Sequence, residues 1–260
     1  MGAQTLTDLV SEPPPLSLPV PVDRLYRMAP EVYQRMVERG LLTGGDGIEC
    51  RDGLLMNPPT AGTPANPFDG LYRIPLDVYH QIADAGLLGP SDKVELLDGL
   101  LVKIMTKGQS HFVVVYLLVD ALEKVIADGW FVLKEDPVAL PAGPLRHASE
   151  PEPDVTVVRG AIRDYLKRKP EPADTALVVE VAESSLREDR AKLTRYAQAG
   201  IPVAWLVNLH DRTIEVHTRP AGASAPSGYD EVLVYGEGDE VPVIIDGREV
   251  GRIAAREVLP

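Results

Sequence analysis

Apolar residues recur at two different spacings along this chain, and the switches between those spacings lay out its elements. Phe112, Val115, Val119, Leu122 and Ile126 return every three or four positions, which predicts a mostly buried helix from Ser110 to about Ala127. Continuous apolar and β-branched runs predict strands at Trp130 to Lys134, Asp154 to Val158 and Ala176 to Val181. A second helix is predicted from Leu186 to Ala199, ending at Gly200, a usual helix stop. Val203 to Leu209 then reads as a buried strand. Thr213 to His217, Val232 to Tyr235 and Val241 to Ile245 read as antiparallel strands, with Pro220 to Gly228 as a loop. Strands with interleaved helices imply an α/β fold with a mixed central sheet flanked by helices.

The N-terminal third repeats itself. Residues 25 to 55 match residues 71 to 101 at a constant offset of 46, with 14 of 31 pairs identical. Roughly two or three identities are expected by chance at ordinary residue usage. Each copy reads as a short amphipathic helix, a Gly-Leu-Leu segment, and two strands around an Asp-Gly turn (Asp52-Gly53 and Asp98-Gly99). The expected organisation is an extended arm at 1–23, a duplicated helix-hairpin unit at 24–56, a Pro-rich linker at 57–69, and an α/β domain at 70–260. Prolines at 13, 14, 15, 19 and 21 keep the arm from forming a core of its own.

Composition narrows the function classes. Net charge is -13, from 26 Lys plus Arg against 39 Asp plus Glu, which opposes non-specific attraction to phosphate backbones. Two segments run the other way, Arg159 to Lys169 and Arg187 to Arg195. The single cysteine, Cys50, rules out an intrachain disulfide or a cysteine-rich zinc site, so any metal must take oxygen and nitrogen ligands. No stretch has the length and apolarity of a membrane span, and the first residues lack the blocks of a signal peptide, so the expected location is cytoplasmic.

Three carboxylates stand inside or at the ends of apolar strands, where a buried charge needs a partner or a metal. They are Glu95 in Val94-Glu95-Leu96-Leu97, Asp154 in Pro153-Asp154-Val155, and Glu180 in Val178-Val179-Glu180-Val181. Asp189, Lys192 and Tyr196 share one side of the following helix, so Lys192 can reach toward Glu180. Asp154, Glu180 and Glu95 as ligands of Mg²⁺ or Mn²⁺, with Lys192 beside the metal-bound water, would suit phosphodiester hydrolysis. His111 opens the long helix, where a neutral imidazole can ligate a metal or accept a proton. His80, His147, His210 and His217 have no metal-ligand spacing.

Val94-Glu95-Leu96-Leu97-Asp98-Gly99, His111, Glu152-Pro153-Asp154-Val155, Val179-Glu180-Val181-Ala182-Glu183-Ser184-Ser185, and Asp189 with Lys192, Tyr196 and Gly200 together resemble the Uma family of restriction endonucleases. The resemblance runs from about Tyr72 to Val216. It implies a restriction-endonuclease-like core of the PD-(D/E)XK nuclease superfamily, with Asp154 and Glu180 as metal ligands and DNA as the partner. In the parent motif a lysine follows the second acid by two residues; here Ala182 stands there, so the lysine role passes to Lys192. A nuclease fold kept as a binding or assembly module is the alternative. The duplicate carries Glu49 in place of Glu95 but Ala65 where His111 would fall, so it is expected to extend the core or to support a homo-oligomer, such as a dimer. Deleting residues 1–60 is therefore expected to lower the thermal midpoint or change the oligomeric state seen by light scattering. Unchanged values for both would contradict that role.

Overall fold

The computed structural model describes residues 4–5, 20–42, 47–58, 70–89, 91–142, 147–221 and 228–260. Most of the expected arm and linker, and the middle of the Pro220–Gly228 loop, lie outside the described residues. The chain forms two compact units. One comprises Leu16–Ile104 with Pro141–Glu150; the other comprises Met1–Pro15, Met105–Leu140 and Pro151–Pro260. The first strand, β1 (Gln4–Thr5), belongs to the second, larger unit.

The smaller unit holds helix α1 (Pro30–Glu38), hairpin β2 (Glu49–Arg51) and β3 (Leu54–Met56), helix α2 (Leu76–Asp84), and hairpin β4 (Val94–Leu97) and β5 (Leu100–Lys103). Pro30 begins α1 at a position where its fixed φ suits a helix and its missing N–H costs nothing. Both hairpins turn on Asp-Gly pairs with positive φ, 50° and 76° at Asp52-Gly53 and 49° and 72° at Asp98-Gly99. That geometry matches the right-handed twist of the strands. Gly99 is required twice over, because a Cβ there would also lie 2.9 Å from Arg73 Cβ. The two segments then exchange partners: the Tyr26 amide donates to Leu101 O at 2.9 Å, and the Tyr72 amide donates to Leu55 O at 2.8 Å. Met36, Ile82 and Leu96 are fully buried in the core that results.

The larger unit contains helix α3 (Gln109–Glu123), strands β6 (Trp130–Lys134), β7 (Val155–Arg159) and β8 (Thr175–Ala182), helix α4 (Leu186–Gln198), and strands β9 (Val203–Asn208), β10 (Thr213–Pro220), β11 (Tyr229–Gly236), β12 (Glu240–Ile245) and β13 (Arg248–Ala254). Six strands make its central sheet in the order β11-β10-β9-β8-β7-β6, with β1 outside β11. Only β8 and β9 run parallel among these, because α4 carries the chain back between them. The sheet is therefore mixed, as the interleaved pattern predicts. One face packs Val155, Val157, Val179, Val181, Trp205 and Val207 against the Val114, Val115, Leu118 and Leu122 stripe of α3 and against β12 and β13. The opposite face carries Glu180, Leu206 and Glu215 in one row, and α4 reaches both acids.

Two boundaries and one additional strand differ from the sequence expectation for identifiable reasons. Helix α3 ends at Glu123, because the amides of Val125 and Ile126 both turn to Leu122 O and tighten the last turn. Strand β10 runs on to Pro220, paired along its length with β11. Strand β13 escapes the apolar pattern because Arg248, Glu249, Val250 and Arg252 face solvent, and its pairing with β12 forms it. Trp205, fully buried in β9 at the centre of the larger core, should be the most sensitive packing position. Trp205→Ala is expected to remove about 3–5 kcal/mol in urea denaturation; a loss under about 1 kcal/mol would contradict this placement.

Candidate functional site

The register of β7 on β8 decides the site. Val155 pairs with Val179, so one position further Asp154 stands opposite Glu180 on the α4 face of the sheet. The pairing is tied by a hydrogen bond from the Val181 amide to Asp154 Oδ2 at 2.7 Å. Both carboxylates are buried, with 4% and 2% of their surface exposed. Two like charges this close, away from water, are a large electrostatic burden unless cations and donors surround them.

Asp154 has that surrounding. Lys107 Nζ lies 2.7 Å from its Oδ1, and His111 Nε2, on the first turn of α3, lies 3.1 Å from the same oxygen. Burial by itself pushes the Asp154 carboxyl up, but the His111 hydrogen bond and the Lys107 charge outweigh it and hold the group below the ordinary aspartate range. Lys107 also meets Glu135 at 2.7 Å, just beyond β6. Its own burial favours the neutral amine, yet Asp154 and Glu135 keep it raised. His111 is 5% exposed, and its Nδ1 has no hydrogen-bond partner among the described residues.

Glu180 is less well served. Tyr196 Oη donates to its Oε1 at 2.5 Å and Lys192 Nζ stands 3.6 Å from that oxygen, both from α4. Complete burial pushes its carboxyl well up; the Lys192 charge opposes this and the Asp154 charge adds to it. The two acids thus titrate in opposite directions from neighbouring positions, a pattern that gathers at functional sites. Ala182, on the same face two residues on, contributes only a buried methyl where the parent motif has lysine.

Of the residues singled out in the sequence, Asp154, Glu180, Lys192 and His111 come together in the larger unit. Glu95 is 3% exposed on β4 of the smaller unit, opposite Val102. Among the described residues, no group of three or more His, Cys, Asp and Glu converges to hold a metal unaided. Lys107 and Glu135 escaped the sequence reading, because Ile104 to Gly108 has no periodic pattern that would aim a lysine at a strand. Of the histidines left aside, His217 is 3% exposed and shares Glu215 with Arg190, at 3.0 and 2.5 Å. Burial raises the Glu215 carboxyl, but these two partners hold it below the ordinary glutamate range.

A family model named Uma2 and described as "Putative restriction endonuclease" matches residues 76–247. That span holds Glu95, His111, Asp154, Glu180 and Lys192, and it leaves out residues 25–55. No curated protein matches the chain. Among solved structures, a crystal structure titled as a putative nuclease belonging to DUF820 from Anabaena variabilis is similar, with a TM-score of 0.50 and 13% identity. The match covers 71% of this chain and 97% of that one, a likeness of fold.

The opposed shifts fix a pH signature for the metal-free protein. A carboxylate held below its unfolded value stabilises the fold above that value, about 3.9 for aspartate, and the contribution is lost as pH falls through the lowered one. Glu180 has the reverse sign, so stability falls as pH rises from about 4.3 through its raised value. Glu180→Gln is expected to raise stability at neutral pH by about 1–3 kcal/mol and to flatten the profile above pH 5. Chemical denaturation across pH measures both, and a variant less stable than the parent at neutral pH would contradict the assignment.

Proposed function

Because this chain belongs to the Uma2 restriction-endonuclease family, we propose that it is a metal-dependent endonuclease that hydrolyses DNA phosphodiester bonds at Asp154 and Glu180. The observation that carries the reading is the buried Glu180, which faces Asp154 across the strands and whose carboxyl burial pushes well up even with the Tyr196 hydroxyl at 2.5 Å and the Lys192 ammonium at 3.6 Å. A divalent ion beside it would favour the ionised form that burial opposes.

The donor set fits a hard cation. Mg²⁺ is commonly held by one or two carboxylates, with waters and substrate phosphates completing the shell, and so does not need a three-residue protein cage. Asp154 and Glu180 would hold the ion, which when bound lowers the pKa of a coordinated water and offsets charge on the scissile phosphate. Lys192 would offset part of the burial that opposes the ionised form of Glu180, and Tyr196 would fix its orientation. His111 fixes Asp154, and Lys107 supplies an ammonium on the exposed side of that carboxylate, where it can meet a phosphate oxygen. Glu95, in the other unit, is not needed for this assignment.

A second reading has its own support. Lys107 and the Val181 amide already engage both oxygens of Asp154, and Ala182 removes the usual lysine. A chain in which Lys107 permanently satisfies Asp154 would be a nuclease fold used for binding.

Metal titration separates the two. Millimolar Mn²⁺ or Mg²⁺ is expected to bind by calorimetry in the parent and not in Asp154→Ala, and Mn²⁺ is expected to support nicking of supercoiled plasmid. Glu180→Ala should reduce cleavage by at least about 100-fold, the scale of losing an electrostatic group that acts on the transition state. Metal binding that survives Asp154→Ala, or cleavage that survives Glu180→Ala, would contradict the proposal.

A further inference from the structure

The loop after β7 runs against the character of the rest of the chain. Residues 159–169 carry Arg159, Arg163, Lys167, Arg168 and Lys169 against a single aspartate, in a protein of net charge -13. The same loop exposes the two most exposed large apolar side chains among the described residues, Ile162 at 61% and Leu166 at 79%. Scattered apolar residues on a surface are ordinary, but two of them interleaved with cations on one short loop are not.

The loop is held in place. The Asp164 carboxylate accepts from the Ala161 amide at 2.8 Å, Tyr165 Oη donates to Arg159 O at 2.8 Å, and the Gly160 amide donates to Gly129 O at 2.7 Å. Arg168 stacks over the Tyr165 ring at 4.7 Å and pairs with Asp174, while Arg159 stacks over Trp130 at 4.3 Å and pairs with Asp246. Two of the five cations are thus structural, and Arg163, Lys167 and Lys169 remain exposed around Leu166. A scaffold that anchors a loop so fully while turning its aliphatic tips outward is built to present them.

We propose that this loop is a duplex-DNA contact, in which Arg163, Lys167 and Lys169 pair with phosphates and Leu166, with Ile162 beside it, packs into the minor groove against a base step. Apolar wedges flanked by cations are a physical solution for gripping and bending a duplex from that groove. Charge complementarity selects a polyanion as the occupant. The loop also shares a strand with the carboxylate site: Asp154 precedes β7 and Arg159 ends it, about 17 Å apart at about 3.3 Å per residue, the rise of about five base pairs. One duplex can therefore reach both. The inference rests on the nuclease reading for its choice of DNA, and it fails or stands separately from catalysis.

Fluorescence anisotropy with a labelled 20-base-pair duplex in EDTA tests it without cleavage, using the full chain. The variant Arg163→Ser/Lys167→Ser/Lys169→Ser is expected to bind at least tenfold more weakly at low salt. Its log–log salt slope should fall in magnitude by about 2–3, near 0.9 for each phosphate that the variant no longer neutralises. Leu166→Ser is expected to weaken binding about three- to tenfold at an unchanged slope. All four positions are exposed, so unchanged circular dichroism and thermal midpoint should accompany both variants. Glu180→Ala should bind like the parent and show the same dependence on the loop. Parent binding that needs the loop, without cleavage in Mn²⁺, would support this contact and count against the nuclease. A parent that cuts DNA, and a triple variant that binds and cuts equally well, would overturn the contact and leave the nuclease. Failure of the parent to bind the duplex, with binding to vesicles rich in anionic phospholipid that the triple variant loses, would also overturn it.

Discussion

Asp154 and Glu180 face each other across adjacent strands, both almost wholly buried, and the surrounding structure compensates for that pairing. Sheet register places them, so neither can move away without breaking the ladder between β7 and β8. The compensation is uneven. Asp154 receives an ammonium, an imidazole and a backbone amide, whereas Glu180 receives a hydroxyl at 2.5 Å and an ammonium at 3.6 Å. A fold selected only for stability would put apolar residues in both positions, since replacing buried ionic groups with well-packed apolar ones is often neutral or stabilising. Retaining both acids makes sense when a ligand completes the pair.

That constraint orders the rest of the larger unit. α4 serves as the crossover that lets β8 and β9 run parallel, and the same helix turns Lys192, Tyr196 and Arg190 onto the row of acids formed by Glu180 and Glu215. α3 seals the opposite face with aliphatic side chains, while its first turn delivers His111 to Asp154. Packing and site chemistry thus use the same two helices from different faces. The overall acidity of the chain fits a nuclease once its cations are seen to be local: Lys107 beside Asp154, and the basic loop at the other end of β7.

Much of this was legible in the sequence, and the gaps have physical reasons. Glu180 stood out because four apolar neighbours left it no route to solvent. Lys192 and Tyr196 followed from helical periodicity, since residues three, four and seven apart share a face. The Asp-Gly pairs announced both hairpins through their demand for positive φ. Lys107 was invisible because it sits in an aperiodic connection, and only the folded register brings it to Asp154. β13 was missed because a strand exposed along most of one side carries no apolar signal. The basic loop is visible as charge, but its outward aliphatic tips are not, since nothing in the sequence around Ile162 and Leu166 separates an exposed aliphatic side chain from a buried one.

On the proposed reading Asp154 and Glu180 take up the ion together, and burial, which pushes the Glu180 carboxyl up, favours its neutral form before the ion arrives. Counting the protons released when Mn²⁺ binds tests it most directly, by repeating the calorimetric titration in buffers of different ionisation enthalpy at mildly acidic pH. Greater proton release per ion from the parent than from Glu180→Gln is the expected result. Metal binding without proton release in the parent, or equal release from both proteins, would contradict it.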